Sequence, residues 1–190
     1  MLELRKLHET QMRMLYAGQM RRDFPPSELK ELGTILGLMR RGVYEPLGVY
    51  DGEMLAAYTL IYRPEAGRML LLDYLAVEPT RRGCGTGGEV LNLLRTHYSG
   101  CASALMIECE RPCSAPDRET ASRRIRFYER AGAKLTSVRI ALFDVEYSIL
   151  VLPCDDAWDE AGDWAEQILS LYRQMLPPHL FERHVRLLRA

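Results

Sequence analysis

Polar and apolar residues alternate through LELRKL at residues 2–7, which predicts a first strand. From residue 9 to 22 the spacing becomes helical, with Met12, Leu15, Tyr16 and Met20 on one face. Asp23-Phe24-Pro25-Pro26-Ser27 breaks the chain, and Ser27 is expected to cap a second helix. Its apolar face would be Leu29, Leu32, Ile35, Leu36 and Met39, and Gly42 would end it. Residues 44–62 read as two β runs around Asp51-Gly52, a hairpin signal. MLLLDYLAV at 69–77 is almost continuously apolar, as in a strand covered on both faces. A glycine-rich loop follows, then a helix over about 86–97 with Val90, Leu91 and Leu94 inward. SALMIEC at 103–109 predicts another buried strand. A polar loop over 110–120 leads to a helix at about 121–131, ended by Gly132. Residues 134–143 and 145–152 predict a closing strand pair.

The order is thus strand, two helices, three strands, helix, strand, helix, two strands, which places the chain in the mixed α/β (α+β) class with a partly antiparallel sheet. The pattern changes after Pro153. Residues 154–190 hold both tryptophans, a helix expected at 161–175, a Pro177-Pro178 break and a basic amphipathic end. Residues 1–152 are therefore expected to form the main domain and 153–190 a helical extension packed on it.

Composition narrows the class. At 190 residues, 47% hydrophobic and 27% charged, the chain can bury a core without staples. A net charge of −1 offers no broad basic surface, so nucleic acid is not an expected partner. The five cysteines, Cys84, Cys101, Cys109, Cys113 and Cys154, form no CxxC pair and have no nearby histidine. They read as reduced thiols rather than a metal cluster. MLELRKLHET lacks the apolar core of a secretory leader, and no apolar run could span a bilayer. A cytoplasmic protein with no membrane partner and no metal is expected.

The chemistry concentrates in Arg82-Gly83-Cys84-Gly85-Thr86-Gly87-Gly88, between a buried strand and a helix. Glycines let a ligand approach the backbone, and amides at a helix N-terminus suit phosphate oxygens. Arg81 and Arg82 add positive charge, so the loop reads as a pyrophosphate site. Its letters also spell GxGxxG, with Glu108 about twenty residues on, as in a dinucleotide site. Against that reading, Glu78-Pro79-Thr80-Arg81-Arg82 separates strand from loop, three strands precede, and too little chain follows for the remaining parallel strands.

The stretch LDYLAVEPTRRGCGTGGEVLNLL (72–94) resembles motif A of the GNAT superfamily of acyl-CoA-dependent N-acyltransferases. Within it, RxxGxG is Arg82-x-x-Gly85-x-Gly87. RRIRFYERAGAKL (123–135) resembles motif B, although Ala121 stands where that helix often has asparagine and Ala133 where an aromatic often follows the glycine. The resemblance implies a GNAT fold: a mixed sheet of six to seven strands with one splayed pair, and helices on both faces. It implies acetyl-CoA as co-substrate, with Leu75, Ala76 and Val77 as backbone rail and oxyanion donors. Arg82, Gly83, Cys84, Gly85, Thr86, Gly87 and Gly88 would hold the pyrophosphate. Tyr128 would face the coenzyme sulfur. For the base, Ile107-Glu108-Cys109 resembles the Leu-Glu-Val of N-terminal protein acetyltransferases. Asp73, on the same strand face as Leu75, is the rival, and a water chain with neither is a third arrangement.

The expected activity is acetyl transfer from acetyl-CoA to a primary amine of a small molecule or peptide. The alternative is a coenzyme-binding regulatory module with little catalysis. Acceptor choice would fall to Tyr16, Arg21, Arg22, Asp23, Phe24 and Tyr147, whose mixed character selects no substrate. The tail could cover the acceptor groove, form a homodimer contact, or simply pack.

Overall fold

The computed structural model describes residues 1–155 and 163–188. Eight strands form one sheet: β1 (Leu2–Lys6), β2 (Tyr44–Asp51), β3 (Met54–Tyr62), β4 (Met69–Val77), β5 (Ala104–Glu110), β6 (Lys134–Leu142), β7 (Val145–Pro153) and β8 (Val185–Leu187). Their order is β1-β2-β3-β4-β5-β7-β6-β8. The helices are α1 (Glu9–Leu15), α2 (Leu32–Arg40), α3 (Thr86–Tyr98), α4 (Arg118–Arg130), α5 (Trp164–Met175) and α6 (Pro178–His184). The sheet holds one strand more than the upper number expected. The eighth comes from the tail, where Val185–Leu187 pairs antiparallel with β6.

The chain divides into two compact units, residues 1–63 with 73–90, and residues 64–72 with 91–190. In the first unit, β1, β2 and β3 are antiparallel neighbours. The β2–β3 turn is Gly52-Glu53, with Gly52 at φ 60°, a conformation that favours glycine. The helix begun by α1 continues through a π-helical segment, Tyr16–Met20, and a last turn, Arg21–Asp23. Ser27 does not cap the next helix. It lies in a turn, and α2 starts five residues later behind Glu31, leaving Leu29 outside the helix. The cause is tertiary. Tyr74 accepts from the Lys30 amide at 2.9 Å and donates to the Glu28 carbonyl at 2.7 Å, while Tyr16 donates to the Lys30 carbonyl at 3.0 Å. Those bonds hold residues 28–30 outside the helix.

In the second unit, β5 runs parallel to the start of β4 and antiparallel to β7. The β4–β5 ladder covers three pairs and stops at Leu71↔Met106, although β4 continues to Val77 and β5 to Glu110. That is the pair expected to splay. Helix α4 begins at Arg118, three residues before its expected start, because Asp117 accepts from the Thr120 amide at 3.0 Å. Helix α5 buries Ile168, Leu171 and Tyr172. It is capped by Asp163, whose side chain accepts from the Glu166 amide at 3.1 Å. The expected start of this helix at 161, and Trp158, lie outside the described residues.

Candidate active-site residues

In the first unit, β4 ends at Val77, a 3₁₀ turn spans Pro79–Arg81, and the glycine turn leads into α3. Gly83 and Gly85 have φ of 77° and 85°, which side chains rarely adopt. Gly88 has no such constraint, and a Cβ there would meet no protein atom within 4 Å. Neither backbone conformation nor internal packing calls for glycine at 88, as is also true of the helical Gly18, Gly33 and Gly37. The amides of Gly88 and Glu89 donate to the Gly85 carbonyl at 2.9 and 3.2 Å. Among the described residues, the amides of Cys84, Gly85, Thr86 and Gly87 make no such bond. Four amides at the head of a thirteen-residue helix suit phosphate oxygens, and the residues present fit a pyrophosphate. Cys84 is exposed in this turn.

The flanking arginines hold positions the sequence did not suggest. Arg82 donates to the Val77 carbonyl at 2.9 Å and to Asp23 at 2.8 Å. Asp23 also accepts from Arg22 at 2.9 Å and from the Tyr58 hydroxyl at 2.9 Å, and Arg22 reaches on to Glu78 at 3.1 Å. Arg81 pairs with Asp51 at 2.9 Å. Burial pushes the Asp23 carboxyl up, but hydrogen bonds from Arg22 and Tyr58 and the charges of Arg22 and Arg82 outweigh it and hold the group below its ordinary value. Burial, and then the bond to Asp23, push the Tyr58 hydroxyl up. Arg22 and Asp23, named as acceptor selectors, thus brace the glycine turn through Arg82.

On β4, Asp73, Leu75 and Val77 share the half-buried face, and Tyr74 and Ala76 the buried one. Both Asp73 oxygens accept from Lys30 Nζ, at 2.8 and 2.7 Å, and the Tyr44 hydroxyl donates to one of them. The Asp73 side chain is 7% exposed. A carboxylate so enclosed anchors the α1–α2 connection.

In the second unit, Glu108 and Cys109 are successive residues of β5 and project to opposite faces. Glu108 accepts from the Tyr172 hydroxyl of α5. On the other face, Cys109 and Tyr128 of α4 influence each other, and Arg124, one turn before Tyr128, acts on both. Burial pushes the Cys109 thiol up to about 12, so it is a neutral buried group. Burial likewise pushes the Tyr128 hydroxyl well up, Cys109 adds to this, and Arg124 opposes it. Among the described residues that hydroxyl makes no hydrogen bond. Tyr128 and Glu108 therefore flank β5 from opposite faces.

No protein-family profile and no curated protein matches the sequence. The structure does have relatives. A Bacteroides thetaiotaomicron protein assigned to the GNAT acetyltransferases superposes with a TM-score of 0.73 at 19% identity, over 90% of this chain and 96% of that one. The chain has the GNAT fold. The ribosomal-protein-S18-alanine N-acetyltransferase of Escherichia coli superposes with a TM-score of 0.56 at 18% identity, over 85% of this chain and 99% of that one. Arabidopsis thaliana NAA60, solved in complex with acetyl-CoA, gives 0.59 at 14% identity, over 80% and 97%. The glycine turn and the β4–β5 ladder that stops at Leu71 thus stand within a known architecture.

Proposed function

We propose that the chain binds acetyl-CoA at the Arg82–Gly88 turn and transfers the acetyl group to a primary amine of a small molecule or peptide. The observation that carries this reading is the glycine turn at the head of α3, with Gly83 and Gly85 in the left-handed region and amides that, among the described residues, make no backbone hydrogen bond. The motif resemblance and the shared fold support it.

Transfer needs three things of the protein. The amine, with an ordinary pKa near 10, must lose a proton. The tetrahedral oxyanion needs donors. The departing thiolate needs a proton or a hydrogen bond. In the proposed reaction the amine nitrogen attacks the thioester carbon, the carbon–sulfur bond breaks, and coenzyme A leaves as a thiolate. Backbone amides of Leu75, Ala76 and Val77 are the proposed rail and oxyanion donors. Tyr128 holds its proton firmly, so it acts as a hydrogen-bond donor to the developing thiolate rather than a free source of protons. Of the two carboxylates, Glu108 is the proposed base: Asp73 is ion-paired with Lys30 and also bonded by Tyr44, whereas Glu108 accepts from the neutral Tyr172 hydroxyl. Base and donor on opposite faces of β5 suit an acceptor arriving on one side and a sulfur leaving on the other.

The test mixes the purified chain with acetyl-CoA and an amine library and follows free thiol. Thiol release with at least one acceptor is expected. Tyr128→Phe is expected to lower turnover about 10- to 100-fold with coenzyme affinity little changed. Tight coenzyme binding with no thiol release would turn the reading to a regulatory module. Equal turnover in wild type and Tyr128→Phe would remove Tyr128 from the reaction.

A further inference from the structure

Helix α5 belongs to the tail, yet it reaches β5 with one polar group. Tyr172 is fully buried, its neighbours Ile168 and Leu171 are buried with it, and its hydroxyl donates to Glu108 Oε1. The helix is held at a second point, where the Gln174 carboxamide bonds both the amide and the carbonyl of Ala66, at 2.9 and 3.1 Å. Two attachments along one helix fix the Tyr172 hydroxyl in place. We propose that Tyr172 is a positioning residue that orients Glu108 and keeps its carboxylate ionised at neutral pH. The proposal rests on the reading of Glu108 as the base and extends it: the tail becomes part of the catalytic apparatus.

The physical argument is direct. A hydroxyl that donates to a carboxylate favours its charged form. It also restrains rotation of the carboxyl group. A half-buried base without such a donor would hold a proton at higher pH and rotate more freely. Other groups share the environment. Glu110 lies two residues along the same face of β5, and Tyr147 lies diagonally across on β7, where Glu108 pairs with Ile149. On α5, Glu166 and Arg173 pair with each other at 2.7 Å at the exposed surface. On the opposite face of β5 stand Cys109, Tyr128 and Arg124. A second acid on the Glu108 face raises the need for a donor.

The test follows the Glu108 side-chain carboxyl carbon by NMR through a pH titration, its resonance assigned by its loss in Glu108→Gln. Tyr172→Phe is expected to raise the Glu108 midpoint by about one unit. The acidic limb of kcat/KM should move up with it, while the KM for acetyl-CoA stays put. Replacement of Tyr172 by 3-fluorotyrosine keeps the volume, strengthens the donor, and should move the midpoint down. An unchanged midpoint in whichever variant keeps the wild-type amide fingerprint overturns the proposal, even if Glu108→Gln abolishes turnover. Wild-type turnover in Glu108→Gln overturns the underlying base assignment instead, and the catalytic role of Tyr172 with it.

Discussion

Asp23 ends the helical segment begun by α1, and its side chain is 4% exposed. It accepts from Arg22, Arg82 and Tyr58. Removing the carboxylate leaves the fully buried Tyr58 without that acceptor and releases Arg82 from its brace on the glycine turn. Asp23→Ala is expected to cost about 1–3 kcal/mol in urea denaturation at pH 7. The pH dependence has a definite sign. The folded carboxyl lies below its ordinary value, so around and below pH 4 the unfolded chain binds more protons than the folded one. The stabilisation is therefore present above about pH 4 and is lost as the pH falls through the folded value. Wild type and variant should converge in strong acid, and a constant difference down to pH 2 would contradict the assignment. None of this network was legible in the sequence. The Tyr58 partner is 35 residues from Asp23, and Arg82 is 59 residues away. Helix periodicity places Asp23 only at a break. The glycine turn was legible because its φ requirement and its amides are local properties of adjacent residues.

The β6–β7 hairpin closes on Phe143 and Asp144, both in the left-handed region at φ of 47° and 66°. A two-residue turn of this kind prefers Asn-Gly, and an aromatic at positive φ carries strain. Contacts to the tail offset it. Phe143 stacks on His184 with ring centroids 4.5 Å apart, its amide donates to the His184 carbonyl at 3.2 Å, and Asp144 pairs with Arg186 at 3.3 Å. Both charges of that pair are well exposed, so the pair itself adds little. Replacing Phe143-Asp144 by Asn-Gly should therefore raise stability by about 1 kcal/mol, seen as a higher urea midpoint with an unchanged slope. A lower midpoint would mean that the stacking on His184 outweighs the strain. The strands of this hairpin were readable from alternation alone. The three-residue β8 beside them was not, since so short a segment carries no period and forms only because β6 offers an edge. Likewise α4 starts where Asp117 can cap it, and α2 where Tyr74 and Tyr16 release the chain. Periodicity found both helices, but side-chain bonds chose their first residues.

For the whole chain, the sharpest remaining choice is between coenzyme A and a dinucleotide, because the turn spells a motif for each. The proposed reading is the first, and thermodynamic linkage can decide it without any acceptor. A ligand that binds only the native chain stabilises it by about 2.7 kcal/mol at a hundred times its Kd. For a chain of this size that corresponds to a rise of about 5–10 °C in Tm. Acetyl-CoA and free coenzyme A should both produce it, since the contacts proposed for the turn are to the pyrophosphate and not to the acetyl group, while NAD, which has a pyrophosphate but no pantetheine arm for the proposed Leu75–Val77 rail, should produce a clearly smaller rise. Gly85→Val provides the control. Its φ of 85° makes the unliganded variant less stable, by about 1–3 kcal/mol. The added side chain should also abolish the coenzyme-dependent rise, because a Cβ at 85 meets no protein atom within 4 Å and so extends beside the amides proposed to hold phosphate. A stabilising effect of NAD equal to that of coenzyme A would return the turn to a general phosphate cradle. A coenzyme response that survives in Gly85→Val would place the binding elsewhere.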